Sequence, residues 1–252
     1  GDFSEDGIDD LIVGSPNESI GEKQQSGSIT ILYGSTDGIS SQKSSRIHQG
    51  SFGIQDSNEA FDRWGSVLTT GDFNGDSKID LVIGAPAEGS GTLIRTGAIT
   101  IIPGTAGLLT SREARTIHQE EIPLTLDISH ADHWGDALGN VDVNGDGKTD
   151  LLVASSAKSI GTQFDSGTIT LLWGTKNGIV PKNSNYLDQN TSGIPDDNKS
   201  MDYWGRLGTS SELTLERPSL GLITLSGVNV VVMVELPQAA NSSVAQYIVR
   251  TP

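Results

Sequence analysis

One motif returns three times at a fixed distance, and that spacing constrains the fold more than any other feature. GDFSEDGIDDLIVGSP starts at Gly1, GDFNGDSKIDLVIGAP at Gly71 and NVDVNGDGKTDLLVASS at Asn140. Asp2, Asp72 and Asp142 therefore stand 70 residues apart. Trp64, Trp134 and Trp204 keep the same interval, each two residues after an Asp (Asp62, Asp132, Asp202). So do Gly27, Gly97 and Gly167, then Gly34, Gly104 and Gly174, then Gln49, Gln119 and Gln189. Several residue types sharing one period define a structural repeat, which must stack on its neighbours to bury a continuous core.

Inside a unit the apolar pattern has the period of short strands, and no helical period is sustained. The second unit predicts four: Trp64 to Gly71, Asp80 to Ala85, Gly97 to Ile102 and Ala114 to Gln119. Leu81-Val82-Ile83 is continuously apolar, as an inner strand covered on both faces would be. Thr alternates with Ile or Leu in the third strand, at 27–32, 97–102 and 167–172. Asp37-Gly38 and Asn177-Gly178 are turn dipeptides after that strand. Gly is abundant, at 31 residues, and aromatics are only 5%, which fits a turn-rich all-β chain.

Four antiparallel strands per repeat is the logic of a β-propeller blade. Tandem sandwich domains would need roughly 100 residues and about seven strands each, more than this unit supplies. The expected blade units are about 1–60, 61–130, 131–200 and 201–252, within one partial propeller over 1–252. Dividing 252 by 70 gives about 3.6 blades. The first unit lacks its opening strand, and the fourth loses its landmarks after Trp204-Gly205. Four blades are near the lower limit for closure. The expectation is therefore the C-terminal half of a larger propeller, completed by N-terminal blades or by another chain.

The acidic loops carry the chemistry. In the second unit, side-chain oxygens occupy positions 1, 3, 5 and 9 as Asp72, Asn74, Asp76 and Asp80, with the Lys78 carbonyl at position 7. The third unit offers Asp142, Asn144, Asp146, the Lys148 carbonyl and Asp150. The first offers Asp2, Ser4, Asp6, the Ile8 carbonyl and Asp10, with Ser4 the weaker ligand and Glu5 where a Gly stands in the others. Alternating hard oxygens around a tight loop are a calcium donor set, with bonds of about 2.3–2.6 Å. An EF-hand would need a bidentate Glu at position 12 between helices, whereas Ile83 and Val153 stand there. In the fourth unit Glu212 takes the place of the first Asp, and no metal is expected there.

The remaining composition narrows the partners. A net charge of −16 repels phosphate backbones, so nucleic acid is not expected. Anionic membrane surfaces are disfavoured for the same reason. There is no Cys, hence no disulfide framework or thiolate metal site. No run of 18 apolar residues is present, so no spanning helix is expected.

The pattern DxNxDGxxDLxxGAP, preceded by an aromatic-Gly pair, resembles the FG-GAP repeat of integrin α-subunit propellers and their bacterial relatives. Trp64-Gly65, Trp134-Gly135 and Trp204-Gly205 stand where that family has Phe-Gly. Gly84-Ala85-Pro86 is intact, Gly14-Ser15-Pro16 is close, and Ala154-Ser155-Ser156 departs from the pattern. The resemblance implies a propeller with calcium in the acidic loops, in an extracellular, cell-surface or secreted setting. The 70-residue unit with long segments between blades, such as Ile54 to Asp62, is similar to the bacterial forms.

Three functions follow as expectations. The first is a calcium-stabilised adhesion or scaffold module, without catalysis, that meets a protein or glycan through loops on one propeller face. The second is an accessory domain of a secreted hydrolase or phospholipase, since some proteins carrying this repeat are such enzymes. The third is a lectin-like carbohydrate binder using exposed Trp or Tyr with Asp or Asn, although the periodic Trp residues are better explained as blade-packing anchors. No nucleophile motif or His-metal pattern supports catalysis in this chain. His130 and His133 flank Asp132 without counterparts in the other units, while His48 and His118 repeat and suggest packing. Asn-x-Ser/Thr sequons occur at Asn17, Asn190, Asn198 and Asn241, and matter only in a eukaryotic secretory pathway.

Overall fold

In the computed structural model the described residues are 1–39, 44–123 and 127–206, with the main chain of two short strands further on. Three successive sheets carry the repeat. The first contains β1 (Leu11–Ser15), β2 (Ser28–Leu32) and β3 (Ser44–Ile47). The second contains β4 (Val67–Gly71), β5 (Asp80–Ala85), β6 (Ala98–Ile102) and β7 (Arg115–His118). The third contains β8 (Ala137–Val141), β9 (Asp150–Ser155), β10 (Thr168–Leu172) and β11 (Ser184–Leu187). Each is an antiparallel meander with its strands in sequence order. In the fourth unit β12 (Ile223–Leu225) and β13 (Val228–Val230) form an antiparallel pair. Glu212 and most of that unit lie outside the described residues.

The strands sit where the apolar pattern puts them. The one systematic difference is the opening strand, which starts at Val67 and not at Trp64. Gly65 takes a φ of +87° and Ser66 donates its amide to the Arg63 carbonyl, so a turn separates the Trp from the strand. Other than strands, the described residues of the second unit include two short 3-10 turns, Ser111–Glu113 and Gln119–Glu121.

Successive side chains of a strand point to opposite faces, and here both faces are covered. Leu81 and Ile83 pack with Ile29, Ile31 and Trp64, filling the space between the first and second sheets. Val82, between them in sequence, packs with Trp134, Leu151 and Val153, between the second and third. The inner strand therefore faces a neighbouring blade on either side, as its unbroken apolar run requires. The core lies between sheets.

The periodic Trp residues are the anchors of these cores. Trp64 and Trp134 are fully buried and Trp204 nearly so. Trp64 Nε1 donates to Thr100 Oγ1 at 2.9 Å, and Trp134 Nε1 to Thr170 Oγ1 at 3.1 Å. Thr in the third strand thus satisfies the one polar atom that a buried indole carries. The Trp main chain meets the preceding blade, with Trp64 N to Ser26 O at 3.0 Å and Trp134 N to Thr96 O at 2.9 Å. This close approach explains Gly27, Gly97 and Gly167. A Cβ at any of them would sit 2.0 to 2.1 Å from the Trp carbonyl oxygen.

An all-β chain of repeated antiparallel sheets, stacked so that each core lies between neighbours, has the construction of propeller blades.

Candidate metal loops

Each acidic loop lies at the same end of its blade. The loops at 72–80 and 142–150 join the first and second strands, and the loop at 2–10 leads into β1. Within a loop the carboxylates fold the main chain around themselves. Asp72 Oδ1 accepts from Gly75 N at 2.7 Å and Asp76 N at 3.0 Å, while its Oδ2 accepts from Ser77 N at 2.7 Å. Asp142 does the same with Gly145, Asp146 and Gly147. Asp2 binds the amides of Asp6 and Gly7. Asn74 Oδ1 accepts from Asp76 N, and Asp76 Oδ1 from Lys78 N. Asn144 and Asp146 repeat the pair, and Asp6 accepts from Ile8 N. Positions 1, 3 and 5 thus point their oxygens inward along one short arc.

Position 9 behaves differently. Asp10, Asp80 and Asp150 are buried. Oδ2 of Asp80 accepts from Phe73 N at 3.0 Å, and its Oδ1 from Gly104 N at 2.8 Å. Asp150 holds Val143 N and Gly174 N, and Asp10 holds Phe3 N and Gly34 N. Each carboxylate ties the metal loop to the turn after the third strand. Burial pushes the carboxyls of Asp80 and Asp150 up to about 6, against the pull of these amide donors, with smaller contributions from the other loop carboxylates. The sequence pattern predicts these residues as ligands and misses their role as clamps. The signal was present in the equally periodic Gly34, Gly104 and Gly174.

Two departures from glycine are accommodated by the main chain. Glu5 stands at position 4 with φ +57°, where Gly75 and Gly145 have +76° and +72°. Ser77 stands at position 6 with φ +68°, where Gly7 and Gly147 have +86° and +83°. All three loops therefore share one backbone path.

The donor set fits a hard cation. Every converging group is an oxygen, and an oxygen that accepts one amide hydrogen keeps a further lone pair. Asp2, Ser4, Asp6, Asp72, Asn74, Asp76, Asp142, Asn144 and Asp146 would present side chains, and Ile8, Lys78 and Lys148 their carbonyls. The local cations are lysines: Lys148 Nζ is 3.3 Å from Asp146 Oδ2, and Lys78 Nζ pairs with Glu5 of the preceding blade.

The histidines do not form a site. His130 is exposed and accepts from Ile94 N, while burial and then Arg95 push His133 down. The periodic Trp64, Trp134 and Trp204 are buried, so these three are not available to stack on a sugar. Asn198, one of the sequons, is buried, and its side chain bonds Asp188 and the Gln189 amide.

Comparison with known proteins agrees with this geometry. The FG-GAP repeat matches residues 1–32, 64–102 and 134–172, and the chain carries three FG-GAP repeats. Phosphatidylinositol-glycan-specific phospholipase D of Rattus norvegicus is 33% identical over 154 residues, covering 61% of this chain and 17% of that protein. The Homo sapiens protein of the same name is 33% identical over 158 residues. That of Dictyostelium discoideum is 30% identical over 216 residues, covering 81% of this chain and 21% of its own length. The chain thus spans about a fifth of these relatives. Among the described residues no helix is long and apolar enough to cross a membrane.

Proposed function

We propose that this chain is a non-catalytic, calcium-binding propeller module that serves as a rigid interaction scaffold in an extracellular or cell-surface protein. The observation that carries the reading is the inward ladder of oxygens at positions 1, 3 and 5 in the second and third blades, repeated at positions 1 and 5 in the first. The carboxylates at positions 1 and 5 of each loop repel one another, and a divalent cation relieves that repulsion. Calcium bound only to the folded state adds about 2.7 kcal/mol per site at a hundredfold excess over its dissociation constant. The ligands are then structural, and recognition of a protein or glycan falls to the loops of one propeller face.

Calorimetric titration of calcium into EDTA-treated, dialysed protein tests this. Asp76→Ala and Asp146→Ala are each expected to remove one calcium equivalent and to lower the melting temperature in calcium only. An isotherm that neither substitution changes would overturn the reading.

The relatives favour a second reading, in which the module is the accessory propeller region of a larger phospholipase-like enzyme. On that reading this chain alone leaves glycosylphosphatidylinositol substrates intact. Turnover by the isolated chain would show that catalysis resides here.

A further inference from the structure

A second acidic cluster lies between the first and second blades, apart from the loops. The segment 54–62, which links β3 to β4, brings Asp56 and Glu59 against Glu88, in the turn just after β5. One carboxylate oxygen from each of the three lies within 4.8 Å of the other two. Calcium bonds of about 2.3–2.6 Å bridge such a span from within. Glu88 is only 4% exposed. Burial, with the charges of Asp62 and Asp56 behind it, pushes its carboxyl up to about 8. Among the described ion pairs none places a Lys or Arg on Asp56, Glu59 or Glu88. His118 stands nearby, with Nε2 3.7 Å from Asp56 Oδ2, and the Lys23 charge acts on Asp62.

Two independent observations point to a missing cation. The first is an orphaned acceptor. Gln49 is 1% exposed, and its Nε2 donates to Glu88 Oε2 at 2.7 Å and to Asp56 Oδ2 at 3.4 Å. Its Oε1, the other atom of the same amide, is buried without any hydrogen-bond partner, and so is Asn58 Oδ1. A buried carbonyl oxygen left unpaired is costly, and a cation is one of the few groups that satisfies it beside carboxylates. In the third blade the counterpart of Asn58, Asn198, accepts the Gln189 main-chain amide, while Gln189 Oε1, the counterpart of Gln49 Oε1, is likewise unpartnered, so the orphan particular to the first junction is Asn58 Oδ1.

The second observation is what the repeat puts at the same place elsewhere. Seventy residues after Glu88 stands Lys158, also 1% exposed. Its ammonium donates to Asp132 Oδ2, the counterpart of Asp62, at 2.5 Å and to the Asp127 carbonyl. At the following junction Lys199 replaces Glu59 and donates to Asp196, the counterpart of Asp56, at 2.6 Å. The second junction supplies a buried ammonium from Lys158, whereas Lys199 at the next forms a surface pair. At the first, the described ion pairs put neither Lys nor Arg on Asp56, Glu59 or Glu88.

We infer that the junction between the first and second blades is a divalent-cation site of the calcium class, with Asp56, Glu59 and Glu88 as carboxylate ligands and the Gln49 carbonyl oxygen completing the set. The ion would occupy the role that the Lys158 ammonium fills one blade further on. The site pins the long segment 54–62 to the second sheet.

Glu88→Lys, which copies the next junction, tests it by calcium calorimetry and by melting in EDTA. The expected result is one calcium equivalent fewer than the unaltered chain binds, with a higher melting temperature in EDTA. An unchanged number of equivalents overturns the inference. If Glu88→Lys does not give a native near-ultraviolet circular dichroism spectrum, Glu88→Gln serves, because it keeps the size and can still meet the Gln49 amide. That variant is expected to weaken one site at least tenfold, and an unaltered isotherm again overturns the inference. Asp76→Ala and Asp146→Ala report on the loops separately, so failure of the loop reading and failure of the junction reading give different results.

Discussion

Asp142 and Asp150 begin and end one loop, yet solvent reaches only the first. The Asp150 carboxylate is fully buried and holds the amides of Val143 and Gly174, which have no other partner to turn to. Removing it leaves the buried Gly174 donor and the half-buried Val143 donor unpaired, at about 1–3 kcal/mol each. Asp150→Ala is therefore expected to cost about 2–5 kcal/mol in urea melts, with calcium or without. Asp142 also binds amides, but water replaces it there. Asp142→Ala is expected to cost under about 1 kcal/mol in EDTA, within the range of an exposed hydrogen bond. In saturating calcium its cost should grow by the loss of one site, about 2.7 kcal/mol. Equal costs in both conditions for Asp142→Ala would mean that its carboxylate is a turn former only. The sequence made the two residues look alike because both are oxygen donors at regular spacing. What separates them is a turn 24 residues away that closes over Asp150, and burial set by a distant turn is not written in the loop itself.

At the scale of the element, the third strand is entered through a glycine whose need is geometric. Gly97 has a φ of +95°, and a Cβ there would stand 2.0 Å from the Trp134 carbonyl oxygen. Backbone on one side and a buried indole on the other leave nothing that can yield. Gly97→Ala is expected to destabilise by about 3 kcal/mol or more, combining left-handed strain with overpacking, as a shifted thermal midpoint would show. Ser77 makes the opposite case. It holds a φ of +68° with its side chain exposed, so Ser77→Gly relieves strain without removing a contact. A gain of about 0.5–1 kcal/mol is expected, offset in part by the greater freedom of glycine in the unfolded chain. The strands themselves were legible, since β-branched runs covered on both faces leave an unbroken apolar signature. Their starts were less so. Trp64 reads as the first residue of a strand, and only the turn at Gly65 shows it to be an anchor between sheets.

Across the whole molecule, the loops are joined to one another as well as to their own blades. Thr149 of the third blade donates its amide to the Asp72 carbonyl at 2.8 Å, and its hydroxyl accepts the Asp72 amide at 3.2 Å. Asn140 Nδ2 donates to Thr69 Oγ1 and to the Thr70 carbonyl. Lys78 reaches back to Glu5 of the first blade. Repeat proteins are stabilised by intrinsic terms and by nearest-neighbour interfaces, so a cation that fixes one loop also fixes the partner of the next. If all three loops bind, calcium at a hundredfold excess contributes about 8 kcal/mol in total. For a chain of this size that raises the melting temperature by about 15–30 °C. The coupling makes a sharper prediction than the total. Asp146→Ala, which empties the third loop, is expected to speed hydrogen exchange at the Asp72 amide in calcium, although Asp72 belongs to the second loop. Exchange at Asp2, two blades away, should change less. Equal exchange at Asp72 in the variant and the unaltered chain would mean that each blade binds its ion alone. The stitching through Thr149 would then be contact without consequence.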